Sequence, residues 1–313
     1  MVKMSDDELA RLGVAKVNLA CAKGLGTKSM TDAEAAECLK NMDVMTNAVR
    51  LHTANNHYKF IKNPAEYENS EIYYKVAMLI TVVEQDFGVR YNMAKATMRP
   101  KPGEQDHFFD DPSDVFVLGA FGVKKLGTCS SMPVACVAVG RELGYPLKLV
   151  SAKGHLFFRW DDGAQKMNFE CTHRVNVYPD EHFKNWPVPV TEDEIAKGLY
   201  LKSMTPKEEL AVFLSIRGSV LSYFGRHDEA VNAAKLAYDL DPHPAYVAAG
   251  REYWKRRPAQ QTSMEPIDET EVMYERMMRP YYQKQGLNFV PGVSPAARIS
   301  STPRFPATTS NQR

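Results

Sequence analysis

Neither sign of charge prevails in this sequence: 39 Lys and Arg against 38 Asp and Glu leave a formal net charge of +1. Such a balance gives no electrostatic footprint for a nucleic acid or an acidic membrane surface, and neither is expected as a partner. Long apolar runs are missing as well. No stretch approaches the roughly 18 apolar residues of a membrane span. The opening MVKMSDDELARLGVAKVNLACAKGLG scatters acids and lysines where a signal peptide needs an uninterrupted apolar segment, and it reads as mature protein. Cysteine is scarce: it occurs at 21, 38, 129, 136 and 171 only, with no CxxC pair. An odd, sparse set argues against a disulfide framework and for free thiols in a reducing cytoplasm. Gly-rich phosphate loops are absent too, since GVKKLGTCSS has neither the Walker spacing nor its GK[S/T] ending. No cofactor is implied.

What is present is an ordinary globular composition, 44% apolar and 25% charged, in a chain long enough for more than one structural unit. Residues 31–87 read as helical. Thr31-Asp32-Ala33-Glu34 has the pattern of a capping box, ahead of Ala35, Leu39, Met42, Met45 and Val49 on one stripe. After Asn63-Pro64, Ser70 can cap a helix carrying Ile72, Val76, Leu79, Ile80 and Val83 inward, with Gly88 closing it. Residues 90–112 read as a surface loop, and Ser113-Asp114 as the start of a short helix through Phe121. Residues 130–143 form a helix that is apolar almost all round and therefore belongs inside a core. Strands follow near 147–152, 155–160 and 166–171.

A different pattern begins near Thr205. Two helical stripes are hinged at Gly225, with small residues Gly218, Ala230 and Ala237 and a closing Pro242, as in a tetratricopeptide helix-turn-helix. HPAYVAAGREYWKRR supplies a next helix. One repeat cannot bury its faces unaided, so it is expected to pack on the preceding domain or to bind a protein partner. The divisions are an N-terminal helical region to residue 69, an α+β domain at 70–190, a helical unit at 191–257, and a polar tail beyond. That tail has one helix at 268–279 and a disordered end.

The stretch HLFFRW-DDGA-QKMNFE carries the first hint of chemistry. Asp162-Gly163 signals a two-residue hairpin turn, which sets Trp160 opposite Gln165, Leu156 opposite Phe169 and His155 opposite Glu170. Alternation puts Leu156, Phe158, Trp160, Met167 and Phe169 on the core face. His155, Phe157, Arg159, Asn168 and Glu170 lie on the other. Directly paired residues have Cβ atoms about 5 Å apart, close enough for an imidazole–carboxylate bond. Cys129 precedes the buried helix, where the dipole and a neighbouring imidazolium both favour a thiolate. His155 would take and return its proton, Glu170 would orient the ring, and the Cys129 N–H could donate to a developing oxyanion.

GTCSSMPV, GRELGYPLKLV, KGHLFFRW and NFECT together resemble the transglutaminase-like superfamily of papain-type cysteine enzymes. The branch most similar is the bacterial one in which that domain precedes tetratricopeptide-like helices. The resemblance, over roughly residues 70–245, implies Cys129 as nucleophile, His155 as base and Glu170 as orienting acid. It also implies an α+β fold: N-terminal helices, a central helix packed on an antiparallel sheet, then a helical hairpin. Members more often carry Asp at the last site position, which leaves Asn168 as a substitute for Glu170. Asn92 is the upstream candidate for an oxyanion donor, or else a turn-capping Asn. Phe157 and Arg159 would face the substrate; Arg159 and Lys166, paired across the hairpin, either meet an acidic substrate or are simply solvated.

Bland readings compete. Cys129 could be one more inert small hydrophobe. A zinc site from Cys129, His155, Cys171 and His173 is opposed by strand alternation, which turns Cys171 away from His155. The expected protein is thus a cysteine-dependent hydrolase or acyltransferase acting on a peptide or protein amide through a thioester. The alternative is an inactive scaffold of the same fold that binds a partner through its helical repeat.

Overall fold

Side-chain caps and apolar periodicity define the N-terminal half of the computed structural model, which describes residues 1–27, 29–96, 106–172 and 175–257. The expected helix at 268–279 and the disordered end lie outside those residues. Helices α1 (Asp6–Leu12) and α2 (Val14–Ala22) come first, α1 opened by a Ser5/Glu8 capping box. α3 (Asp32–Lys62) starts at the expected Thr31/Glu34 box and buries Met42, Met45 and Val49. α4 (Glu71–Thr81) is capped by the Ser70 side chain and buries Val76, Leu79 and Ile80. A single π-helical turn follows, and Gly88, at φ +71°, ends it.

The expected surface loop holds more order than its composition suggests. Strand β1 (Arg90–Tyr91) and helix α5 (Met93–Ala96) lie in it. α6 (Pro112–Val115) and α7 (Val117–Phe121) replace the single expected helix, broken where Phe116 turns extended. Asp111, not Ser113, caps the first of them, because Pro112 fills the first helical position, where no N–H is needed. Strand β2 (Leu126–Gly127) runs parallel to β1, with Arg90 beside Leu126 and Tyr91 beside Gly127.

α8 (Met132–Glu142) is the central helix; Met132 to Gly140 are all buried. Val134, Val137 and Val139 are fully enclosed, each contributing on the order of 2 kcal/mol relative to exposure. Against α8 lies an antiparallel sheet of β3 (Leu147–Ala152), β4 (His155–Asp161), β5 (Lys166–Glu170) and β6 (Asn176–Val177), in that order.

The β4–β5 register corrects the expected one. Asp161 pairs with Lys166, Trp160 with Met167, Arg159 with Asn168 and Phe158 with Phe169. The loop has four residues, 162–165, because the Asp162 carboxylate accepts from the N–H groups of Ala164 and Gln165 and widens the turn. Pairing therefore slips by two. Two is the period of a strand, so every side chain keeps its expected face. Lys166 reaches Asp161 rather than facing Arg159.

The second correction concerns that other face. It is not open: β4 is buried from His155 to Trp160. α9 (Asp180–Asn185) and α10 (Glu192–Ala196) follow β6, and Phe183 stacks on Phe157 with ring centres 3.7 Å apart. Phe157, Phe183, Val150, Ala152 and Leu201 form a separate small core. The N–H groups of Leu201 and Met204 donate to Ser151 and Leu149 carbonyls, covering the exposed side of β3.

α11 (Pro206–Tyr223), α12 (His227–Leu240) and α13 (Pro244–Lys255) complete the described chain. A Thr205/Glu208 capping box opens α11, and Gly225 turns the chain at φ +74°. Gly218 is needed for close packing: a Cβ there would stand 3.1 Å from the Tyr253 ring and 3.3 Å from the Ala230 carbonyl. A part-buried pair joins the halves, the Arg141 guanidinium of α8 donating twice to the buried Glu209 of α11 at 3.0 and 2.5 Å. Met1–Pro258 is one unit of mixed α+β structure, mostly helical with a small antiparallel sheet. Among the described residues no helix is long and apolar enough to cross a membrane.

Candidate active site

Cys129 sits on a turn tied down by neighbours. Met132 N–H donates to the Thr128 carbonyl at 2.9 Å, an i to i+4 bond, so the turn 129–131 already winds as the start of α8. Thr128 and Ser131 hydroxyls both donate to the Asp114 carbonyl, at 3.0 and 2.6 Å. The Ser131 oxygen also accepts from the Thr128 N–H. Cys129 thus lies on the turn that leads into α8, two residues ahead of its Ser131 N-cap rather than directly before the helix as expected. It is half-buried, while Cys21, Cys38, Cys136 and Cys171 are buried. Cys171 lies against Cys136 in the core, and burial pushes its thiol up.

His155 opens β4, and its Nε2 lies 2.6 Å from the Glu170 carboxylate. The two residues are not directly paired. The β4–β5 ladder ends at Phe158 and Phe169; continued in the same register, it would put Glu170 diagonal to His155 on the same face. Diagonal neighbours are about 7–8 Å apart at Cα, and the extra methylene of glutamate spans that gap. The second Glu170 oxygen accepts from the Thr172 N–H at 2.8 Å. Burial tends to lower the His155 pKa, but hydrogen bonds from Cys129 and Glu170 and their charges outweigh it, and the ring is pushed up from 6.5 to about 9. Burial tends to raise the Glu170 carboxyl; the imidazolium and Thr172 instead hold it below its ordinary range. With Nε2 taken by Glu170, Nδ1 is the nitrogen left for the sulfur.

Other expected site residues are engaged elsewhere. The Asn92 amide donates to the Asp114 carboxylate at 3.0 Å and its oxygen accepts from the Ala94 N–H, which is the capping arrangement the sequence offered as the alternative. Asn168 accepts from Arg159 at 2.6 Å and donates to Asp180 and the Tyr178 carbonyl, so it does not orient His155. Arg159 is buried, bonded to Asn168, Asp180 and the Leu201 carbonyl. Phe157 is buried under Phe183. Neither Phe157 nor Arg159 faces a substrate, because α9 covers this end of the sheet.

Two aromatic residues stand where those were expected. Tyr91 lines the same cleft as Cys129; burial first and then the neighbouring sulfur push its phenol well above 10, against the Cys129 N–H, which favours the phenolate. Its one signal in the sequence was adjacency to Asn92 in GVRYN, and strand alternation gives neighbours opposite directions. Trp186 sets its ring edge-on to the His155 imidazole, centres 4.7 Å apart. No pattern in the sequence marked it.

Cys129, His155, Tyr91 and Trp186 line a cleft of about 880 Å³. Its far wall comes from the helical hairpin, through Val212, Ile216 and Tyr246. Among the described residues no group of three His, Cys, Asp or Glu could hold a metal ion; His173 lies outside them. No protein-family model, curated protein or solved structure matches this chain.

Proposed function

We propose that the chain is a cysteine-dependent acyl hydrolase or acyltransferase, transglutaminase-like in its α+β part and tetratricopeptide-like in α11–α13, acting on a peptide or protein amide. The observation that carries this reading is a half-buried thiol and a carboxylate-bound imidazole meeting at the wall of one cleft. Cys129 attacks the carbonyl carbon as thiolate, and the C–S bond forms as the π pair moves to oxygen. Collapse expels the amine, which takes the proton of the His155 imidazolium, and leaves a thioester. Glu170 holds the ring with Nε2 toward itself and stabilises its charge. Water or a second amine then accepts the acyl group.

Iodoacetamide provides the test. Cys129 is expected to alkylate at neutral pH at least tenfold faster than the other cysteines, whose sulfurs are enclosed; burial raises Cys21 to about 12 and Cys38 to about 11. An electrophilic amide-like probe should label the wild type and spare Cys129→Ala. Equal, slow labelling of all five cysteines would instead favour a non-catalytic scaffold.

A further inference from the structure

Helix α3 carries two apolar stripes where a surface helix needs one. Cys38, Met42, Met45 and Val49 are buried in the core. On the opposite side Val44, Leu51, Tyr58 and Ile61 are 50–67% exposed, four of the twelve large apolar side chains that the described residues leave open to solvent. Single exposed apolar residues are ordinary, but these four fall on a repeat. Val44, Leu51 and Tyr58 stand seven apart, and so do Asn47, Ala54 and Ile61, three places further on. All six are exposed. At 100° per residue they form one narrow band along the middle of the solvent face. That is the a/d spacing by which one helix reads another, with a single polar residue among the six.

We propose that α3 is the dimerisation surface of this protein, packing antiparallel against α3 of a second copy. The band complements itself in that sense. Turned about a two-fold axis between Leu51 and Ala54, it sets Val44 against Ile61 of the second copy, Leu51 against Ala54 and Asn47 against Tyr58. Large side chains then meet small ones, and the one amide meets the one hydroxyl. Arg50 donates to the Asn47 oxygen within the helix, which leaves the Asn47 NH₂ for the phenol oxygen. Parallel pairing would stack each residue on its own copy, with two tyrosines crowding one layer and two alanines leaving the adjacent one underfilled. An isologous contact uses up the face in a dimer, so no filament follows. Residues 44–61 span about 27 Å of helix, which places the contact near the lower end of the roughly 1,200–2,000 Å² that specific pairs bury. Because the core already holds α3 helical, association pays no cost of ordering it, and a dissociation constant on the order of micromolar is expected. No residue of α3 lines the cleft, so this inference stands apart from the reading of Cys129.

Sedimentation velocity of the full chain between about 1 and 100 μM should show a monomer–dimer equilibrium. Leu51→Glu puts a charge at the centre of the band, on a side chain already 63% exposed, and should weaken the dimer at least about 30-fold. Its circular dichroism and Tm should match the wild type. Tyr58→Lys repeats the measurement in another layer and decides the matter if Leu51→Glu loses helix. Orientation is read in a Cys129→Ala background with a short bismaleimide. Val44→Cys and Ile61→Cys should each fail to cross-link alone and should cross-link when mixed. A wild type monomeric across the whole range, a dimer that survives the charge variants, or Val44→Cys joining to itself overturns the proposal.

Discussion

Glu170 spends both carboxylate oxygens, one on His155 and one on the Thr172 N–H, and the pH dependence of stability follows from that. The folded His155 pKa of about 9 exceeds its ordinary 6.5, so its contribution is complete below pH 6.5 and is lost as pH rises through 9. The folded Glu170 pKa is depressed below 4.5, so its contribution is complete above that value and lost as pH falls through the depressed one. The gap in Tm between wild type and Glu170→Gln should therefore be widest near pH 5–6.5, several degrees, and close toward pH 10. Differential scanning fluorimetry across pH checks it; a gap that grows with pH would be the wrong sign. Cys129, His155 and Glu170 could be singled out from sequence because each is marked by local pattern: a helix start, a strand start, a matching strand. Tyr91 and Trp186 could not, since aromatic residues in short strands and turns carry no distinguishing period.

Among the elements, the β4–β5 hairpin shows how an incorrect pairing can leave a correct face. A register slip of two moves every partner and turns no side chain over. The short pieces around β2 are less forgiving. Gly119 of α7 has the Ser113 carbonyl 2.2 Å and the Leu126 carbonyl 2.5 Å from where a Cβ would lie. Both are backbone atoms that cannot rotate away. Gly119→Ala should cost at least about 2 kcal/mol by forcing α7 off β2, and it should also slow Cys129 alkylation, because Asp114 on α6 anchors the Cys129 turn. A chemical denaturation curve and a labelling time course on the same sample check both. Retention of wild-type stability would mean α6 and α7 can separate freely. None of this was visible beforehand: Gly119 was one small residue in a short helix.

For the whole molecule, one apolar cluster runs through α2, α8, the sheet and the helical hairpin, from Val17 through Val134 and Phe158 to Tyr253. With the Arg141–Glu209 pair bridging α8 and α11, residues 1–257 should unfold as one cooperative step. Trp160 on β4 and Trp254 on α13 are natural reporters. Single-Trp variants that keep one or the other are expected to give the same urea midpoint within about 0.3 M; midpoints well apart would make α11–α13 a separate folding unit. The sequence suggested that those helices lean on the preceding domain. That α1 and α2 also pack against them was not anticipated, because the short, strongly buried α2 has no polar face to set a helical period.

The family resemblance implied a thiol beside an imidazole and a carboxylate; sequence alone determined which residues share a face, His155 and Glu170 among them, and which helix lies inside. Those are consequences of backbone period, and period is local. Tertiary structure decided what covers the second face of the sheet, turning Phe157 and Arg159 from expected substrate contacts into core, and what stands beside the thiol. Both come from segments distant in the chain, Phe183 folding back onto β4 and Tyr91 pairing parallel to Gly127. Such partners are chosen by the fit of surfaces and by which backbone groups remain unpaired, and no local repeat encodes either.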